Sequence, residues 1–380
     1  MRRVVVVGGG FGGLATVTAL RSSLRPDDEI VLLERRTDFV MGLRKSWAVL
    51  GRASLEQGRR DLRLLEARGI RVVHGTATKL DPVARAVEVD GMRIDGDALV
   101  VALGAEQAGN AIPGFVEHAL NFYEASQVPH AAAALTDFRG GQVLVGIFGA
   151  PYPCPPAPFE LALLLKETFA ARGVAATLQV FSPLSLSLPV LGEEGCSALD
   201  SRLAAAGIGF LPNHKATAVE AGEVVFADGK RLAYDVLLGV PPHRCPTVVA
   251  ESGLTSGGPW VRPDKLTLET GFPGVYAIGD LTDLPLADGK SLPKAGVFAE
   301  AQGRVVAERI AASFEGRRAR SAFDGFGHCY LEVGQGQAML VQGHFMAEPA
   351  PQIALSEPTV EAFAQKQAFE QDRLRGWFGA

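Results

Sequence analysis

Residues 4–20 read VVVVGGGFGGLATVTAL. A run of β-branched residues feeds a glycine cluster and then a helix-forming stretch, and EIVLLE follows as a second strand. Gly8, Gly10 and Gly13 fit GxGxxG, and Glu34 stands 21 residues beyond Gly13 at the end of that strand. A strand, a tight turn, a helix and a strand in so short a span form a βαβ unit, which demands a parallel sheet with helices on its faces. Glycines at this spacing let the backbone approach a pyrophosphate at a helix N-terminus, and an acid at this distance accepts hydrogen bonds from a ribose. The first unit is therefore read as a dinucleotide site made by Gly8, Gly10, Phe11, Gly12, Gly13, Glu34 and Arg35. A carboxylate at 34 disfavours a 2′-phosphate.

A second unit with the same order of elements runs from Gln142 to Phe181: VLVGIF, a loop, FELALLLKETFAARG and ATLQVF. Its loop reads GAPYPCPPAPFE, where a nicotinamide site would be glycine-rich. Prolines remove amide donors and stiffen the turn, and Cys154 sits in the middle. The strand after the helix ends in Phe181-Ser182, with no acid for a ribose. The loop reads as the mount for a thiol. Cys154 lies a few residues before a helix starting near Phe159, whose dipole favours thiolate. Glu160, six residues on, is placed either to relay a proton or to favour the helix N-terminus electrostatically.

Residues 69–104 read as short strands and turns, with Ala77 among them, and DALVVALGA ends in Ala102-Leu103-Gly104. Farther on, GVYAIGDLTDLP forms a strand ending in Gly279-Asp280, and LPKAGVFAEAQGRVVAERI an amphipathic helix. A tail follows with Cys329, an apolar strand (QAMLVQGHF) and a polar helix ending in Trp377 and Phe378.

The composition narrows the partners. A net charge of −5 and the lack of any basic block exclude nucleic acid as an expected partner. No apolar run reaches the ~18 residues of a membrane span. The first strand begins almost at Met1, which leaves no room for a secretory or twin-arginine leader, so a cytoplasmic chain is expected. The four cysteines are separated by 42, 49 and 84 residues, without a CxxC pair, so neither a metal site nor a structural disulfide framework is expected.

Together these motifs resemble the sulfide:quinone oxidoreductase and flavocytochrome c sulfide dehydrogenase flavoprotein branch of the pyridine nucleotide–disulfide reductase superfamily. The glycine fingerprint and Gly279-Asp280 are common to the superfamily. The specific pieces are Cys154 with Glu160 in CPPAPFE, and Cys329 in GFGHCYLEVGQG. The resemblance implies an α/β fold of two Rossmann-like dinucleotide-binding domains plus a small C-terminal region. The FAD-binding domain is discontinuous, over 1–105 and 251–319. Residues 106–250 form the second Rossmann-like domain with a degenerate nicotinamide site, and 320–380 carry Cys329. The resemblance further implies FAD as cofactor, Asp280 at its ribityl chain, Ala77, Ala102, Gly104 and Gly279 around it, and Lys294 near the flavin. Cys154 and Cys329 would meet over one face of the isoalloxazine as a redox pair, bridged directly or through extra sulfur, with either one facing the flavin. The segment FVMGLRKSW has no cysteine, so the FAD is expected to be non-covalent, and LNFYEASQ lacks the third cysteine of the quinone reductases.

The implied function is oxidation of sulfide or a related small sulfur species through Cys154 and Cys329, with electrons passing via FAD to a quinone or other acceptor. An NAD(P)H-dependent flavin reductase of the quinone or disulfide reductase type is the alternative enzyme, and the second loop argues against it. A non-catalytic flavoprotein is the third reading. Cys196 is expected in the core and Cys245 in a structural role, while His328 should point away from Cys329 because adjacent strand residues face opposite sides. The apolar residues of the last helix should pack on the body. Its interspersed Glu361, Lys366, Glu370 and Asp372 argue against deep insertion in lipid, leaving a shallow peripheral contact on the inner face of the membrane as a further expectation.

Overall fold

The computed structural model of the chain describes residues 1–379. The valine run becomes β1 (Arg3–Val7), because branched side chains suit a strand covered on both faces, and Val4 to Val7 are fully buried. The glycine cluster opens α1 (Phe11–Ser23), and EIVLLE forms β2 (Glu29–Glu34). The chain continues through α2 (Arg44–Val49), β3 (Arg71–His74), a three-stranded antiparallel layer within residues 77–95, and β4 (Ala98–Val101). It then builds a second sheet from β5 (Leu120–Asn121), β6 (Gly141–Ile147), β7 (Ala176–Phe181), β8 (Ile208–Leu211) and β9 (Val236–Val240), with α3 (Ala157–Ala171) joining β6 to β7. It returns to the first sheet with β10 (Val275–Ala277) and α4 (Gly296–Phe314). A last layer holds β11 (Phe326–Gly334), β12 (Gln337–His344), β13 (Gln352–Leu355) and α5 (Val360–Phe378).

Both sheets are parallel and their four-strand cores share one order. The first runs β10-β4-β1-β2-β3 and the second β5-β9-β6-β7-β8. In each, the chain steps outward from the central strand on one side, through β2 to β3 or through β7 to β8, and crosses back to its other side, at β4 or β9. That makes a switch point at its carboxyl end, where open α/β sheets bind ligands. The two crossings between the sheets lie side by side: Glu106 and Gln107 pair antiparallel with Arg244 and His243. Alternating side chains of β1 feed different cores, Val4 and Val6 packing with α1 and α4, Val5 and Val7 with the antiparallel layer.

The helix expected near Phe159 begins at Ala157, because Pro156 and Pro158 are tolerated at a helix start where amides have no partner. The last helix packs on the body through its apolar residues, as expected. Thr359 caps it by accepting from the Ala362 amide (3.0 Å), and Leu374, Trp377 and Phe378 join the core. Two of the four charges that argue against insertion in lipid, Lys366 and Glu370, are buried within the protein, while Val360 is exposed. Glu370 ion-pairs with Arg44 of α2, so this face of α5 is both charged and internal. No helix among the described residues is long and apolar enough to cross a membrane.

Candidate active site

A cavity of about 760 Å³ opens at the carboxyl ends of β1 and β4 and reaches across to α3, β11 and α5. At its first end, Gly8 has φ +112°, and a Cβ there would stand 2.3 Å from the Ala102 carbonyl oxygen. Gly13 lies behind the loop, where a Cβ would be 1.8 Å from the Gly8 carbonyl oxygen, so only glycine lets the helix start so close to the strand. Gly10 faces open space, with no atom within 4 Å of where its Cβ would be. Phe11, Gly12, Arg35, Ala77, Ala102 and Gly104 line the same end. Glu34 also lines it and accepts from the Gly9 amide (2.6 Å) and Arg36 Nε (3.1 Å). Burial opposes its charge, yet Arg36 and these donors hold its carboxyl below the usual range.

Gly279 and Asp280 line the cavity beyond β10, and burial pushes the Asp280 carboxyl up. Lys294 stands behind the wall. Its ammonium donates to the carbonyls of Asp280 (2.5 Å) and Thr282 (3.2 Å) and sits 3.5 Å from the centre of the Trp260 ring. Burial brings its pKa down to about 8, against the pull of Asp280 and Asp283. The Lys294 backbone does reach the second loop, its carbonyl accepting from the Cys154 amide (2.8 Å).

Cys154 has φ +52°, a left-handed conformation that favours glycine. The loop imposes it through three bonds: the one to Lys294, and two to the Cys154 carbonyl from the Ala157 amide (3.0 Å) and the Tyr123 hydroxyl (3.1 Å). Strain of this kind persists only where the surroundings over-determine it. The exposed Cys154 side chain and half-buried Cys329 on β11 both line the cavity, and both are free thiols. The neighbouring Cys329 thiol draws Cys154 below the ordinary thiol range, although desolvation and Glu160 oppose this. The neighbouring Cys154, desolvation and Glu160 push Cys329 well up, with Lys366 opposing. His328 and Tyr330 line the cavity as well, their rings packed on Phe369 of α5. His328 is thus not turned away from the site, because the cavity wraps around this stretch of β11.

Behind the thiols lies a buried charge cluster. Lys366 donates to Glu160 Oε2 (2.7 Å) and Glu332 Oε2 (3.1 Å). Glu160 also accepts from the Glu332 amide (2.9 Å), and Glu332 from Trp47 Nε1 (2.7 Å). Burial raises the Glu160 carboxyl, with Glu332 adding to this and Lys366 opposing it. The cluster ties α3, β11, α5 and α2 together around the cysteines. A proton held at Glu160 therefore sits on the rim of the cavity that the thiols share.

The profile of the pyridine nucleotide-disulphide oxidoreductase family matches residues 2–303. The chain belongs to this family. It is 26% identical over 331 residues to the sulfide-quinone reductase of Aquifex aeolicus, an alignment covering 81% of this chain and 76% of that protein. The solved structure of the Aquifex aeolicus sulfide:quinone oxidoreductase superposes with a TM-score of 0.89 at 21% identity, covering 100% of this chain and 92% of that one. The type II NADH:quinone oxidoreductase of Staphylococcus aureus is also similar, 26% identical over 334 residues, covering 81% of this chain and 82% of that protein.

As a member of this family the protein is a flavin-dependent oxidoreductase, and its cofactor is FAD. The residues fit that group. The glycine loop leaves the cavity side of Gly10 bare at the start of α1, Glu34 stands at the end of β2, and the start of α4 at Gly296 lines the far side.

Sequence reasoning did not find Lys366 or Glu332 as site residues, nor Lys45 and Tyr123, which line the cavity beside Cys154. One signal was present: lysine and glutamate in register with the apolar residues of α5, every three or four positions, on the face the helix buries. Cys196 is in the core, its thiol donating to the Leu188 carbonyl (3.1 Å). Cys245 is buried away from the thiol pair, and burial pushes it up to about 11.

Proposed function

We propose that the protein oxidises sulfide or a related small sulfur species at Cys154 and Cys329 and delivers the electrons to a quinone. The observation that carries this reading is the meeting of two thiols, one from the loop after β6 and one from β11, in the cavity that also holds the glycine loop. The Aquifex aeolicus relatives carry the same activity in their names. In the oxidised state the two cysteines form a disulfide. HS⁻ attacks one sulfur, the S–S bond breaks, a persulfide forms on the attacked cysteine, and the other leaves as thiolate. Cys154, three residues before the start of α3, is the better placed of the two to leave as thiolate, which puts the incoming sulfur on Cys329. Glu160 is placed to take up the proton released as the sulfur is oxidised, and Lys366 offsets the resulting charge. A second HS⁻ takes the outer sulfur of the persulfide as hydrogen disulfide and leaves Cys329 as thiolate; FAD, held by the glycine loop and the start of α4, would supply the two-electron oxidation that closes the two thiolates to the disulfide again.

Anaerobic addition of sulfide to the purified flavoprotein, followed by its absorbance, tests this. Bleaching, or a long-wavelength band from a thiolate against the flavin, is expected with sulfide alone. Bleaching by NADH and not by sulfide would overturn the reading in favour of an NADH-dependent reductase, the activity named for the Staphylococcus aureus relative.

A further inference from the structure

Lys366 and Lys45 approach the cysteines from opposite elements, and their surroundings differ. The ammonium of Lys366 is fully engaged by two carboxylates. Lys45, half-buried on α2, donates to the Tyr123 carbonyl (2.6 Å) and lies 5.6 Å from the centre of the Tyr123 ring. Among the described residues no carboxylate comes within ion-pair distance of it. Both Lys45 and Cys154 line the cavity, and Tyr123 links them, since its hydroxyl donates to the Cys154 carbonyl (3.1 Å). A cation removed from water without an anionic partner is costly, and it favours whatever anion the site can form. Facing Cys154 are Cys329 from β11, Glu160 from α3, Lys366 from α5 and Lys45 from α2. Glu160 and Lys366 act on it in opposite senses, being bonded to each other. The charge of Lys45 is not offset in this way, Glu124 being its other anionic neighbour and Arg36 a competing cation.

We propose that Lys45, held by Tyr123, is the positioning residue that keeps the Cys154 sulfur a thiolate, so that the thiol pair breaks with Cys154 leaving and the incoming sulfur retained on Cys329. The proposal rests on the sulfur-oxidising reading above and assigns a polarity-setting group to the same site. The step is balanced: the S–S bond gives its electron pair to Cys154, the attacking HS⁻ supplies the pair for the new S–S bond on Cys329, and no proton leaves Lys45, whose charge burial disfavours and Glu124 and the Cys154 thiolate support.

The test uses the FAD-loaded protein, reduced and anaerobic. Iodoacetamide alkylation of Cys154 and Cys329 is followed against pH by peptide mass spectrometry in wild type, Lys45→Gln and Lys45→Arg. The Cys154 midpoint should rise by about one pH unit in Lys45→Gln, a tenfold loss of thiolate below the midpoint, and stay near wild type in Lys45→Arg. Sulfide-driven bleaching should slow by a similar factor in Lys45→Gln. An unchanged Cys154 midpoint in a Lys45→Gln protein that keeps its FAD and melting temperature overturns the proposal. Should Lys45→Gln not fold, Glu124→Gln decides: it removes an exposed anion that competes for Lys45, and the Cys154 midpoint must fall. An unchanged or raised midpoint there overturns the proposal equally. Alkylation needs no sulfide, so a shifted midpoint without sulfide bleaching sinks the sulfur reading alone. Sulfide bleaching with an unmoved midpoint sinks only the role of Lys45.

Discussion

The two loops that follow β1 and β6 occupy the same place in two sheets of the same strand order, yet they solve opposite problems. The first strips side chains away, so that backbone amides at the start of α1 face the cavity and Gly10 meets nothing. The second puts prolines and a cysteine there and accepts a left-handed φ at Cys154, the conformation for which glycine is the cheap choice. A Rossmann-like unit thus keeps its strand order and switch point while the chemistry of its loop is rewritten. What the second loop lost in amide donors it replaced by a thiol held from three sides, by Lys294, Ala157 and Tyr123.

The largest effect should come from the second loop. Cys154→Ser or Cys329→Ser should cut sulfide-driven flavin reduction by about 10³-fold or more while FAD is retained, as for loss of a covalent nucleophile. A wild-type stopped-flow rate in either variant would break the comparison, because the loop would then not be a thiol mount. Next comes the support of that loop. Lys366→Met leaves Glu160 and Glu332 buried without their cation, and unfolding in denaturant should show a loss of about 3–5 kcal/mol. In the first loop, Gly13→Ala drives a methyl to 1.8 Å from the Gly8 carbonyl oxygen. It should destabilise by about 3 kcal/mol, with FAD lost on gel filtration. Gly10→Ala is the smallest and sharpest test, because its methyl enters empty cavity space. Stability should move by no more than about 0.5 kcal/mol, while the flavin-to-protein absorbance ratio falls. Unchanged flavin content would mean that the bare backbone at Gly10 is not what the first loop offers its cofactor.

Local features were legible in the sequence, and distant partnerships were not. The glycines, Glu34 and the flanking strands announce themselves within about 30 residues, the span of one βαβ unit. Cys154 stands out because prolines surround it where amides should be. That Cys329 would lie against it came from resemblance, since nothing in the spacing of the cysteines brings β11 to the loop after β6. Lys366 is harder still. Its burial makes sense only with Glu160 and Glu332, 206 and 34 residues away. A lysine on an amphipathic helix otherwise belongs in water. Nothing in FVMGLRKSW singles out Lys45, whose carbonyl partner, Tyr123, lies 78 residues on.

The pairing of Arg44 with Glu370 spans 326 residues. The first and last parts of the chain therefore meet at one wall of the cavity. Helix α2, which carries Lys45, is clamped to α5, which carries Lys366, so whatever loosens the last helix also frees the cation on the opposite side of the cysteines.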